Sequence, residues 1–236
     1  MNNNHSDTVS ATALLLCAST QWGLSMFFWG GALFLAAGTL LWSRGWIHLG
    51  LWLATLPVNF TVLLQANREV LAARFNPKRA SEGWDRLLLA VFLPLGLTIP
   101  VVGGLEAVRY QQPSVPVWGI YLGILLHVAG DVLMVWTMAV NPYLEKTVRI
   151  QAERAHRVIV TGPYAWVRHP MYAAVILLLA SIPLVLGSVW AFAPVALIAA
   201  LLIVRTLLEE QTLRRSLPGY EDYAQQTRYR IIPRIW

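Results

Sequence analysis

The residues whose types and spacing can do chemistry gather in the last part of this 236-residue chain. A polar stretch from Asn141 to His169 carries Gln151, His156 and the segment Val158-Ile159-Val160-Thr161-Gly162-Pro163-Tyr164. Gly162-Pro163 is a turn signal. Then comes Arg168-His169-Pro170-Met171-Tyr172, where Pro170 suits the first turn of a helix because its missing N–H is not needed there. His169 and Tyr172, three apart, project from neighbouring positions at that helix start. The free N–H groups and dipole of the helix start favour a carboxylate or another anion. Further on, Arg205 and Glu209 stand four apart, on one helix face, with Glu210 beside them. Brought together, these groups make a polar pocket that takes a charged ligand from one side and a greasy one from the other.

The elements that must position these residues are membrane helices. Residues of the AVILMFWYC class make up 57% of the chain and charged residues 13%, about half the share in a soluble domain. So few charges cannot cover a water-facing surface, which excludes an ordinary soluble enzyme, a disordered protein and a disulfide scaffold. The 11 tryptophans fit amphipathic rings at lipid headgroup level. A hydrocarbon core of about 30 Å needs about 20 apolar residues per helix. Six runs qualify as spans: about 21–42, 47–65, 87–105, 117–140, 171–186 and 189–208, the last two a hairpin turning near Gly187-Ser188. The run Val9–Ala18 is too short to span and is expected in the interface or as an extension of the first helix. The fold class expected is all-α: a polytopic transmembrane bundle of about five to six helices with a C-terminal hairpin and a cytoplasmic cofactor pocket.

Charge placement sets orientation. Of 18 Lys and Arg, five lie in residues 66–86, five in 142–170 and six in 205–236, leaving Arg44 and Arg109 for the opposite side. The positive-inside rule then makes the rich side cytoplasmic, with both termini on it. The net charge of +6 is thus explained by membrane topology, and no nucleic acid is expected. The single Cys17 cannot form an internal disulfide.

The stretch His156–Tyr172 followed by Glu209-Glu210 resembles the membrane methyltransferases typified by isoprenylcysteine carboxyl methyltransferase and phospholipid N-methyltransferase. The pattern reads His156, a short apolar strand-like run Val158-Ile159-Val160, Gly162-Pro163-Tyr164, Arg168-His169-Pro170-Met171-Tyr172, a hydrophobic hairpin and Glu209-Glu210. The ending Gly219-Tyr220-Glu221-Asp222-Tyr223 also fits, and the family's glycine two past the tyrosine is Ala174 here. The resemblance covers about residues 117–236, a methyltransferase core, with residues 1–105 as N-terminal helices for an acceptor site or packing. Both parts are expected within a single integral membrane domain, 1–236.

The resemblance implies S-adenosylmethionine as methyl donor. It places Gln151, His156, Val158, Val160, Gly162, Tyr164, His169, Tyr172, Glu209 and Glu210 around that donor. A glutamate would pair with the donor's ammonium, the helix start at His169–Tyr172 would take its carboxylate, and backbone groups near Val158–Val160 would meet adenine. Arg205 and Glu209 are the catalytic candidates. Arg205 would hold an anionic acceptor, and Glu209 would hold Arg205 or accept a proton. The partners implied are a lipophilic or small methyl acceptor and membrane lipid, with no obligatory protein partner.

Two other classes compete. Membrane sterol reductases share part of the motif but use a nicotinamide dinucleotide and are typically longer, and a non-catalytic protein can retain the fold. His127 and Asp131 inside the fourth span are either functional groups, the default for ionisable residues in a membrane, or a packing pair, with Gly119 and Gly123 on the same stripe permitting close helix contact. His127, His156 and His169 lack the close spacing of a zinc site, so no metal is expected. His48 is expected at the interface and His5 in a loose tail. Arg228, Arg230 and Arg234 are expected to contact anionic headgroups.

Overall fold

The computed structural model describes residues 10–75, 82–112 and 114–236. His5, Val9 and residues 76–81 of the basic loop lie outside the described residues. Among the described residues there are eight α-helices and no strand: α1 (Ala11–Ala37), α2 (Ser43–Ala66), α3 (Arg68–Phe75), α4 (Gly83–Gly104), α5 (Trp118–Val140), α6 (Pro170–Leu186), α7 (Phe192–Ser216) and α8 (Tyr220–Gln226). Five of them (α1, α2, α4 extended to Arg109 through a π-turn, α5 and α7) are long and apolar enough to cross a membrane. The apolar α6 has 17 residues, at the lower limit for a span.

Each expected span has its helix. The run ending at Ala18 extends the first one, which begins at Ala11 because the Ser10 side chain caps Ala13 N–H at 3.1 Å. The hairpin turn falls at Gly187, whose φ of +88° lets its N–H close on Pro183 C=O, a conformation that favours glycine. The strand-like run Val158–Val160 has neither helix nor strand pairing.

Packing of α5 on α6 anchors the site. On α5 a Cβ at Gly119, Gly123 or Gly130 would lie 3.1, 3.0 and 3.0 Å from the carbonyl oxygens of Leu184, Ser181 and Ala174 respectively, so the glycines let two backbones meet. Ala174, where the family pattern has glycine, is fully buried at this contact, and Gly130 supplies the missing space from the other helix. The core between helices joins Leu33 and Phe34 of α1, Leu49 of α2, Ile99 of α4, Ile182 and Leu186 of α6, and Ile198 and Leu202 of α7.

The packing pair of His127 and Asp131 does not form. Asp131 accepts from Asn59 Nδ2 at 2.6 Å, while both nitrogens of His127 are buried without a partner. His48, expected at the interface, is fully buried and accepts from Trp29 Nε1 at 3.0 Å.

The two ends of the bundle differ in charge. At one end Arg44 donates to Val115 C=O and Arg109 to Leu35 C=O, and Glu106 ties the 114 and 188–190 loops together. At the other end stand α3, the start of α4, the 141–169 segment, the end of α7, α8 and the C-terminal tail, with all the other described basic residues.

Candidate functional site

The basic end holds a cavity of about 570 Å³. Its floor descends between the helices, along Leu89, Phe92, Leu93 and Gly96 of α4, Val175 and Leu179 of α6, and Ile198 and Leu202 of α7, to Trp29 and Trp52. Those two tryptophans stack with ring centroids 5.1 Å apart. At 1.5 Å per residue, Gly96 lies about 16 Å along α4 from Asp85 at the polar end.

The polar wall is built on the start of α6 and the last turns of α7. Pro170 is the first helical residue and His169 precedes it with a non-helical backbone at φ −124° and ψ 60°. The His169 and Tyr172 rings stack nearly parallel, 5.4 Å between centroids. Tyr172 Oη donates to Glu209 Oε2, and His169 Nδ1 lies 3.7 Å from the same oxygen. His169 Nε2 is 3.4 Å from Glu210 Oε1, outside hydrogen-bonding geometry, so it remains a buried nitrogen without a partner. The C-terminal tail locks this helix start, since Arg168 N–H donates to Tyr229 C=O at 2.9 Å and His169 N–H to Arg230 C=O at 2.8 Å.

Arg205 and Glu209 both face the cavity, as expected, but they do not pair with each other. Arg205 Nε donates to Asp85 Oδ1 at 2.8 Å and its Nη2 to Lys146 C=O at 2.9 Å. Asp85 is fully buried, and its second oxygen accepts Val148 N–H at 2.8 Å. This one carboxylate therefore joins α4, α7 and the polar segment. The guanidinium also lies over the Tyr172 ring, 5.4 Å from its centroid.

Glu210 turns away from the cavity. It is buried and takes Arg168 Nε at 2.7 Å and Arg230 Nε at 3.1 Å. Arg168 spends its Nη1 on the carbonyls of Thr227 and Arg228, at 2.6 and 2.8 Å. Arg230 is thus an internal partner of Glu210 and lies over Trp236, which corrects its expected contact with lipid headgroups.

The roof is the 141–169 segment. Tyr143 and His156 stack with centroids 4.4 Å apart, and Arg154 lies over the Tyr143 ring. Burial, reinforced by Arg149 and Arg154, lowers the His156 pKa against the opposing Glu145 and Glu153. Gln151 is buried but off the cavity, donating to Tyr143 C=O at 2.6 Å and accepting from Arg154. Tyr164 lines the cavity and is fixed by Asn141 Nδ2 at 2.7 Å and by Tyr223, whose hydroxyl donates to the Tyr164 carbonyl. Burial, partly opposed by the Asn141 bond, raises the Tyr164 phenol, so it stays protonated. Tyr220 also lines the cavity, with a buried hydroxyl that has no partner.

Of the residues expected around a ligand, His156, Val158, Tyr164, His169, Tyr172, Arg205 and Glu209 line one cavity. Gln151, Val160, Gly162 and Glu210 do not. Val160 is about half exposed, and Gly162 sits in a turn at φ +60° against Trp136. The cavity residues missed in the sequence include Arg74 and Tyr220, and Asp85 was missed beside them. An arginine set in an apolar helix needs a counter-charge, and Asp85 at the start of another span was the signal for it.

Residues 122–215 match the model of the isoprenylcysteine carboxyl methyltransferase (ICMT) family. That segment is a domain of this family. No curated protein matches the chain. The ICMT family implies a membrane methyltransferase, and the five long apolar helices accord with it. The matched segment contains the α5–α6 contact, the roof, and the His169, Tyr172, Arg205 and Glu209 wall. Outside the ICMT segment lie Trp29, Trp52, Arg74, Phe92 and Gly96, so residues 1–105 contribute a smaller part of the cavity lining, most of it apolar. Among the described residues no group of three or more His, Cys, Asp or Glu is placed to hold a metal ion.

Proposed function

We propose that this protein transfers a methyl group from S-adenosylmethionine to a lipophilic or small acceptor bearing a carboxylate, thiol or amine, at the cytoplasmic face of a membrane. The observation that carries this reading is the continuity of the cavity. Its polar wall of His169, Tyr172, Arg205 and Glu209 runs without interruption into the apolar floor between α4, α6 and α7. A polar donor entering at the charged end and a greasy acceptor from the bilayer would meet at the boundary. The uneven distribution of arginine and lysine makes the charged end cytoplasmic, with both termini on that side.

The residues present fit such a donor. Glu209 offers a carboxylate for an ammonium. The buried Tyr220 hydroxyl, which has no partner, calls for a ligand atom, and the His169 ring lines the cavity beside Glu209. Val158 and Ile159, beside the Tyr143–His156 stack, give a partly apolar slot for an adenine ring. When bound, S-adenosylmethionine supplies a methyl carbon already activated by its sulfonium, so the protein mainly aligns the reactants and excludes water. Arg205, fixed from two sides by Asp85 and Lys146 C=O, orients an anionic acceptor. Glu209 Oε2, held by Tyr172, takes a proton where the nucleophile releases one. Glu210 acts one step back, keeping Arg168 and the tail against the helix start. Residues 1–105 shape the acceptor half.

Titration of the purified protein with S-adenosylhomocysteine and with NADPH tests this reading. Binding of the former alone supports it, and binding of NADPH alone transfers the site to a reductase. Absence of both leaves a non-catalytic relative. His169→Ala should weaken S-adenosylhomocysteine binding about ten- to a hundredfold, as a lost charge-assisted contact of about 1.5–3 kcal/mol implies. Labelled donor incubated with a membrane extract then identifies the acceptor.

A further inference from the structure

Among the described residues, two half-buried cations in the cavity wall, Arg74 and Lys146, have no counter-charge. The short helix α3 packs through Val70 and Leu71, both buried in a cluster with Leu14, Phe60, Leu63 and Met138. Arg74 follows these by four and three residues, so the helix period turns it to the same inward face. There it lines the cavity, and its Nε is buried with no hydrogen-bond partner. The other buried or half-buried arginines of the site are matched: Arg205 by Asp85, Arg168 by Glu210, Arg154 by Glu69 and Arg149 by Glu145 and Glu153, while Arg157, which also lines the cavity, is exposed. Among the described residues Arg74 has no acidic partner. Lys146, which also lines the cavity, has none either.

The two cations also act on each other. Burial lowers the pKa of Arg74 to about 10, with the Tyr164 phenol opposing. Burial and then the Arg74 charge lower that of Lys146. Two like charges sharing a desolvated wall are unfavourable unless an anion lies between them. Of the nearby cavity carboxylates, Glu145 is bound to Arg149, and Glu209 is held by Tyr172 and forms no ion pair with Arg74 or Lys146.

We propose that Arg74 and Lys146 form an oxyanion-binding pair, taking a carboxylate or phosphate presented inside the cavity. This rests on the reading of the cavity as a shared donor and acceptor site. The oxyanion has two sources in that reading, the carboxylate of the donor or an anionic headgroup on the acceptor. A planar guanidinium grips either bidentately, with the ammonium adding charge.

The full chain in lipid nanodiscs, as wild type, Arg74→Gln, Arg74→Lys and Lys146→Gln, separates the sources by direct binding measurements. The probes are S-adenosylhomocysteine, 5′-methylthioadenosine (which lacks the amino-acid carboxylate), dodecanoate, dodecyl phosphate and dodecan-1-ol. If the donor supplies the oxyanion, Arg74→Gln weakens S-adenosylhomocysteine at least tenfold and leaves 5′-methylthioadenosine unchanged. If the acceptor supplies it, the same variant weakens dodecanoate or dodecyl phosphate at least tenfold and spares dodecan-1-ol and S-adenosylhomocysteine. In either case Arg74→Lys retains more binding than Arg74→Gln, and Lys146→Gln gives a smaller loss for the same probe. The proposal is overturned if Arg74→Gln alters no anionic probe, or if it weakens charged and uncharged probes alike. Wild-type protein that binds the anionic amphiphiles through Arg74 but ignores S-adenosylhomocysteine would defeat the methyltransferase reading and keep the oxyanion pair.

Discussion

Asp85→Ala is the sharpest perturbation of the site, because one fully buried carboxylate holds three segments together. Its Oδ1 accepts from Arg205 Nε and its Oδ2 from Val148 N–H, both at 2.8 Å. Removing it strands a guanidinium that is only 8% exposed. Breaking one partner of a buried pair in this way costs about 3–5 kcal/mol, most of it from the uncompensated charge left behind. Asp85→Asn keeps an acceptor for Val148 but loses the charge, so the cost falls to about 1.5–3 kcal/mol. The expected assay is denaturant unfolding in mixed micelles, combined with S-adenosylhomocysteine affinity, for Asp85→Ala, Arg205→Ala and the double variant. Because the penalty belongs to the unpaired partner, the double variant should be about as stable as the worse single one, a coupling of at least about 2 kcal/mol. Additive losses, with coupling under about 0.5 kcal/mol, would refute the claim that this pair joins α4 to α7.

Arg205→Lys should keep S-adenosylhomocysteine affinity within a few-fold yet lower single-turnover methyl transfer by at least about tenfold, or about 1.4 kcal/mol on the barrier, because one ammonium cannot replace the guanidinium fork. Loss of donor binding with normal turnover would move Arg205 to the donor site. The half-buried His156 has its pKa lowered, so its unfolded form binds protons first as pH falls. Its contribution to stability is full above about pH 6.5 and is lost as pH drops through the window below it. His156→Phe should flatten that acid limb of the thermal midpoint, and an unchanged limb would count against burial as the cause. For topology, in a Cys17→Ser background, Gln112→Cys should label from outside intact cells and Gln225→Cys should not. The opposite pattern would invert the membrane orientation.

The membrane spans were legible in the sequence because a bilayer demands long apolar runs, and the hairpin turn was legible because Gly187 alone there accepts a positive φ. The start of α6 was legible too, since Pro170 suits the first turn of a helix, where its missing N–H is not needed. The pairing of charges was not. Sequence spacing put Arg205 and Glu209 on one helix face, which proved correct, but adjacency on a face does not select a partner. Asp85, 120 positions away in sequence, reaches the guanidinium because α4 and α7 bring their polar ends to the same level. Glu209 and Glu210 show the same limit in a smaller space. Adjacent on a helix, they point about 100° apart, so one carboxylate lines the cavity and the other is enclosed by Arg168 and Arg230. Local chemistry and the solvent determine which residues form helices and where those helices stop. Which charges meet, and which one is left for a ligand, is decided only when the helices pack, because electrostatic partners are chosen by distance through space.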